Sequence, residues 1–316
     1  MRRRVQLAAS VLGIVFLGAA CGGPTAPGSG FSLICPQPLV VESLDGAAVP
    51  VDYGAPSPSG ASPPIDVRCT PPAGSRFDRG TTAVVCTAAD RRRASASCSF
   101  AVTVVVPRLV ATRFLAFGDS LTYGAYSPAR FALGGEPWSY PNQLEGMLRD
   151  RYRSQGIVVF NEGIGGERAA GPSLNSPGGY VRLPRELDEH RPEVLLLMEG
   201  TNDLNDGLEG AQAAIEALGG MVRDAKTRGI RVFLATVPPA REGGRRGTIL
   251  PRTVPEYNRM VRELAAREGV VLVDVYAAMD LSLIGIDDLH PTMEGYTVMA
   301  RSFYEAVRAA LEVRVP

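Results

Sequence analysis

Five strand-like runs, at Arg113 to Phe117, Ile157 to Phe160, Val194 to Met198, Ile230 to Val237 and Val270 to Val275, alternate with segments of helical periodicity. Those segments cover Ser139 to Arg153, Tyr180 to Glu189, Leu208 to Arg228, Val254 to Glu268 and Met293 to Glu312. Runs that are mainly apolar, instead of alternating apolar and polar, suit strands buried on both faces. Strand and helix in alternation then predict a parallel sheet covered on both sides, an α/β/α sandwich of three layers. Pro251 and Pro255 fit a loop leading into a helix start, and Gly229 and Gly269 fit helix ends. About 200 residues are enough for a core of their own.

Each of the first three runs hands over to a polar block. Ser120 lies in Phe117-Gly118-Asp119-Ser120-Leu121-Thr122-Tyr123-Gly124, Asn161-Glu162-Gly163-Ile164-Gly165-Gly166 follows the second run, and Gly200-Thr201-Asn202-Asp203 follows the third. A fourth block, Asp287-Asp288-Leu289-His290-Pro291, lies far downstream. The carboxyl ends of strands are where open α/β sheets bind ligands. Any one block occurs by chance in many proteins; their joint order carries the weight. Taken together they resemble the SGNH (GDSL) hydrolases over roughly Thr112 to Val313. The resemblance implies a flavodoxin-like fold with a five-stranded parallel sheet. It makes Ser120 the nucleophile, His290 its base and Asp287 the residue that orients the base. The backbone N–H groups of Ser120 and Gly166 and the Asn202 amide become the oxyanion hole. Ser120 is not set in the Gly-x-Ser-x-Gly elbow of α/β-hydrolases, which argues against that fold.

The chemistry of these residue types agrees with those roles. A serine hydroxyl is a poor nucleophile until a neighbouring base takes its proton, and the chain has only two histidines. Asp288 rivals Asp287, but its spacing matches the family less well. Asp119 and Asp203 are read as turn residues bonding nearby backbone N–H groups. His190, where a helix gives way to the run at Val194, is read as a surface or helix-capping histidine. Taken alone, Ser120 would be a helix N-cap. Trp138, Tyr140, Tyr123 and Tyr126 could line an acyl pocket or belong to the core. Arg241-Glu242-Gly243-Gly244-Arg245-Arg246-Gly247 is read as a solvated loop. No cluster with metal-ligand spacing is evident, and the reaction requires neither metal nor cofactor.

The first third of the chain differs in composition. Met1-Arg2-Arg3-Arg4, an apolar Val11 to Ala20 and then Cys21 read as an export signal (residues 1–20) ending at a cysteine that could carry lipid. Leu17-Gly18-Ala19-Ala20-Cys21 resembles a lipobox, with Gly18 where leucine is usual. Residues 21–31 would be a flexible Pro/Gly/Ser spacer. Cys35, Cys69, Cys86 and Cys98 are confined to one segment, as expected of two disulfides in an exported chain. Residues 32–107 alternate short β-branched runs with turns, the pattern of a small disulfide-bonded β-sandwich. Cys35-Pro36, Cys69 to Phe77, Gly80 to Ala88 and Cys98-Ser99-Phe100 resemble a HYR (hyalin repeat) module of the immunoglobulin-like class. Of the three possible pairings, Cys35–Cys98 with Cys69–Cys86 is the expected one. The catalytic domain would cover 112–316.

Lysine plus arginine equals aspartate plus glutamate, 33 of each, so nothing favours nucleic acid as a partner. The reading is an exported, cell-envelope serine ester hydrolase acting on a carbohydrate or lipid ester. Membrane attachment would be through Cys21, and the β-sandwich would act as a spacer or as a contact for surface glycan or protein. An acyltransferase working through the same acyl-enzyme, or an adhesion lipoprotein, are the alternatives.

Overall fold

A computed structural model describes residues 30–125, 137–242 and 249–316. The export segment, Cys21, Tyr126 and Gly243 to Gly247 lie outside them.

The N-terminal region is all β. Its strands are β1 (Ser32–Ile34), β2 (Leu39–Glu42), β3 (Val49–Pro50), β4 (Ser57–Ser59), β5 (Asp66–Thr70), β6 (Arg76–Phe77), β7 (Gly80–Ala89) and β8 (Ser95–Leu109). One compact unit holds the described residues up to Gln37 together with Asp52–Gly74 and Ala83–Ala101. Within it β1 pairs antiparallel with β4, and β5 with β7. Disulfides join Cys35 to Cys98 and Cys69 to Cys86, the second across directly opposed positions of the β5–β7 ladder. Tyr53 packs edge-on against Phe100.

The second unit comprises Pro38–Val51, Ser75–Thr82 and everything from Val102 onward. No break in secondary structure marks the change in composition near Pro107, because β8 continues to Leu109. After it come β9 (Arg113–Gly118), α1 (Ser120–Tyr123), α2 (Tyr140–Arg151), β10 (Val158–Gly163), α3 (Gly179–His190), β11 (Val194–Met198), α4 (Gly207–Thr227), β12 (Arg231–Ala235), α5 (Ile249–Glu268), β13 (Val271–Val273), α6 (Val275–Ala278), α7 (Met293–Leu311) and β14 (Glu312–Val315).

Strands β10-β9-β11-β12-β13, in that order, form one wholly parallel five-stranded sheet. Every residue of β11 is buried, as its unbroken Val-Leu-Leu-Leu-Met run requires of a central strand. Helices α2 and α7 pack together, while α3, α4 and α5 form a second group. Fully burying one such leucine contributes about 1.5–3 kcal/mol relative to leaving it exposed.

Two expectations need correction. Pro251 and Pro255 lie inside α5, which begins at Ile249. Pro255 removes one helical hydrogen bond, but the added turn buries Leu250, Thr253 and Val254 on its inner face. The Thr253 hydroxyl donates to the Ile249 carbonyl as well. The chain also does not end in helix: Glu312 to Val315 pair antiparallel with Val106 to Leu109 of β8. No turn signal separates this strand from α7, so its sequence extends the helical pattern unnoticed. Glu312 is pinned there by Arg151 and by the Tyr152 hydroxyl, at 2.6 and 2.8 Å.

Candidate active site

The register of the sheet brings the polar blocks level with one another. Gly118 at the end of β9 is paired with Gly163 of β10 on one side and Met198 of β11 on the other. The blocks carrying Ser120, Gly166 and Asn202 therefore emerge from three adjacent strand ends. Gly163 permits close approach, since a Cβ there would lie 2.0 Å from the Tyr123 backbone nitrogen.

Ser120 is the first residue of α1 and is 8% exposed. Asp119, not Ser120, is the N-cap: its carboxylate accepts from the Leu121 N–H at 2.8 Å. The hydroxyl of Ser120 is thus left for another partner. His290 supplies it, with Nε2 2.8 Å from Ser120 Oγ across 170 residues of sequence. The other ring nitrogen, Nδ1, lies 2.5 Å from Asp287 Oδ2. A carboxylate can only accept, so Nδ1 carries the proton and Nε2 faces Ser120 as an acceptor.

Burial opposes ionisation of Asp287, but its hydrogen bond to the His290 ring and the N–H groups of His290 and Leu289 outweigh it. The carboxyl is held at about 2. Asp288 turns away, at φ +67°, and accepts from Arg241 at 3.1 Å. Arg241 also donates to the carbonyls of Leu281, Ile284 and Gly285, tying down the loop that carries Asp287 and His290. The loop residue read as solvated is therefore a clamp.

Gly166 adopts φ +79°, a left-handed conformation that glycine enters without a Cβ penalty. Its N–H donates to no partner among the described residues. Asn202 gives one amide hydrogen to the Glu167 carbonyl at 2.7 Å, leaving the second for a ligand. Asp203 accepts from the N–H groups of Ala169 and Ala170, at 2.8 and 3.1 Å. It serves backbone, as expected, though more than thirty residues away instead of nearby.

Behind the nucleophile, Asp119 and Glu199 are 0% and 1% exposed. Burial raises the Asp119 carboxyl to about 6, and burial together with the charge of Asp119 raises Glu199 well above the usual carboxylate range.

One open reading is decided and another is corrected. Tyr140 is core, fully buried and stacked on Phe303 at 4.6 Å. Trp138 donates its indole N–H to the Gly124 carbonyl, while Tyr123 is half-buried. His190 is neither free surface nor cap: Arg191 takes the left-handed cap position, and His190 Nε2 lies 2.8 Å from Glu162. Glu162, Glu186 and His190 could offer three ligand atoms to a metal. The Arg182 guanidinium, however, lies 3.6 and 3.7 Å from the same two carboxylates and already supplies a positive charge.

The sequence model of the GDSL-like lipase/acylhydrolase family matches residues 116–298, which span all four blocks. The chain belongs to that family. It is a carboxylic ester hydrolase of the GDSL type. An acetylxylan esterase of Geobacillus stearothermophilus is 24% identical to it over 216 residues, 62% of this chain and 93% of that enzyme. Esterase TesA of Pseudomonas aeruginosa is 25% identical over 170 residues, 52% of this chain and 78% of that enzyme. Among solved structures, a carbohydrate acetylesterase family member from Sinorhizobium meliloti has a TM-score of 0.55 at 20% identity, covering 63% of this GDSL chain and 98% of its own. That last likeness is one of fold.

Glu167, Arg182 and Arg241 were not among the residues expected at the site. Glu167 directly follows Gly165-Gly166, which is the one local signal that could have drawn attention to it.

Proposed function

We propose that this GDSL hydrolase is an exported serine esterase that removes short acyl groups, acetyl above all, from carbohydrate. The observation that carries the mechanism is His290, hydrogen-bonded at once to Ser120 at 2.8 Å and to Asp287 at 2.5 Å. Ser120 Oγ attacks the ester carbonyl carbon as its proton passes to His290 Nε2, and the carbonyl π electrons become an oxyanion. The N–H groups of Ser120 and Gly166 and the Asn202 amide face that oxygen. Collapse breaks the ester C–O bond, and His290 returns the proton to the departing alkoxide. Water then repeats the sequence on the acyl-enzyme, releasing the acid and restoring Ser120.

The acetyl preference draws on the named activity of the acetylxylan esterase. Hydrolysis of p-nitrophenyl esters of increasing acyl length, beside acetylated xylo-oligosaccharide, tests it. Turnover should be greatest for acetyl and fall with chain length; a maximum at long acyl chains would replace carbohydrate with lipid as the substrate class.

The leader (1–20), the Cys21 anchor and spacer (21–31), the hyalin-repeat-like, immunoglobulin-class β-sandwich (32–107) and the flavodoxin-like, three-layer hydrolase domain (112–316) complete the reading. Labelled palmitate should enter the full chain expressed in a bacterial host and be lost in Cys21→Ser. Equal labelling of both would remove the anchor from the proposal.

A further inference from the structure

The proposed chemistry leaves unused a charged pair buried beside the oxyanion loop. Arg182 and Glu167 are 8% and 0% exposed, and the guanidinium meets the carboxylate through two bonds, Nε to Oε1 at 2.8 Å and Nη2 to Oε2 at 2.6 Å. The Ser176 hydroxyl also donates to Glu167, Arg182 Nη2 donates to the Glu162 carbonyl at 2.9 Å, and the guanidinium lies 4.0 Å from the Phe117 ring centroid. Arg182, which lies in α3, ties Glu167 to that helix and through its own contacts to β9 and β10, while Ser176 holds Glu167 from within the same connecting segment.

Stability alone is a poor explanation for such a pair. The desolvation of two charges consumes most of their attraction, and apolar residues of similar size often do as well. Position accounts for it better. Glu167 directly follows Gly166, and its own carbonyl accepts the Asn202 amide at 2.7 Å. Both proposed oxyanion donors that lie outside α1 therefore hang on one residue. The segment between β10 and α3 forms no helix or strand of its own, Gly165 and Gly166 increase its freedom, and Asp203 and the first N–H groups of α3 hold only its later part, at Arg168 to Ala170.

We propose that Arg182 and Glu167 are positioning residues for the oxyanion hole, with Arg182 anchoring Glu167 and the Glu167 carbonyl aiming the Asn202 amide. The inference rests on the assignment of Ser120, Gly166 and Asn202 given above. Glu162 and Glu186 lie 3.6 and 3.7 Å from the third guanidinium nitrogen, with His190 against both.

The test is a double-mutant cycle on kcat for p-nitrophenyl acetate, with melting curves to verify folding. E167Q keeps the shape of the side chain and removes its charge, whereas R182K keeps the charge and removes the two-pronged geometry. Each should lower kcat about 10- to 100-fold with KM nearly unchanged, short of or equal to the loss from N202A. In the N202A background the same substitutions should cost at least about threefold less than in the wild type, because one of the two donors they hold has gone. Equal fold-losses in both backgrounds, or no loss in the folded E167Q and R182K proteins, would overturn the proposal. Should E167Q fail to fold, R182K alone decides. A flat E167Q with an impaired N202A counts against the positioning role only, while full activity in S120A or N202A removes the underlying assignment as well.

Discussion

Ser120→Ala is expected to reduce kcat for p-nitrophenyl acetate by about 10⁴- to 10⁶-fold, the range seen when the nucleophile of an acyl-transfer enzyme is deleted. The size follows from the chemistry: without Oγ no acyl-enzyme forms, and only binding and oxyanion stabilisation remain to assist direct attack by water. Folding should survive. Asp119, and not the serine, caps α1, so the substitution removes one hydroxyl and its bond to His290 while leaving the helix start intact. A folded Ser120→Ala protein within about tenfold of wild-type kcat would refute the nucleophile assignment.

His290→Ala should have a comparable effect, since one ring accepts the serine proton and returns it to the leaving group. The Ser120→Ala/His290→Ala double variant should be no slower than either single one, because the two groups act as a unit. Asp287→Ala should cost less, on the order of 10⁴-fold, because it orients the base and does not replace it. In its absence His290 still has the loop held by Arg241 and by the Gly285 N–H bond to its own carbonyl. Steady-state kinetics on the four purified proteins checks the ranking, and an Asp287→Ala loss equal to that of His290→Ala would reverse it.

Much of this site was legible before the structure. The runs ending at Phe117, Phe160 and Met198 are short and continuously apolar, so sheet physics alone sets their polar sequels at one edge. The sheet register then levels Gly118, Gly163 and Met198. What escaped notice was long-range electrostatics. Arg182 lies in the first turn of α3 and Arg241 in a charged loop, and nothing local distinguishes them from surface arginines. Only burial against Glu167 in the first case, and four acceptors from one loop in the second, reveal their work. His190 was misread for the same reason. Its sequence position suggests a helix end, whereas its environment is set by Glu162, twenty-eight residues away. Strand β14 stayed hidden because a short edge strand needs only a partner, and its partner is two hundred residues upstream.

That partner has a practical meaning for anyone who wishes to trim the protein. A fragment cut at the start of the family motifs would discard Val106 to Leu109 and bare one side of Glu312 to Val315. It would also strand the Gln155 side chain, whose amide oxygen and nitrogen bond the N–H and carbonyl of Leu109 at 2.7 and 2.9 Å. An unpaired edge of this kind invites another chain to add itself. A shorter enzyme should keep the tail of β8, because those few residues serve the hydrolase as its seam.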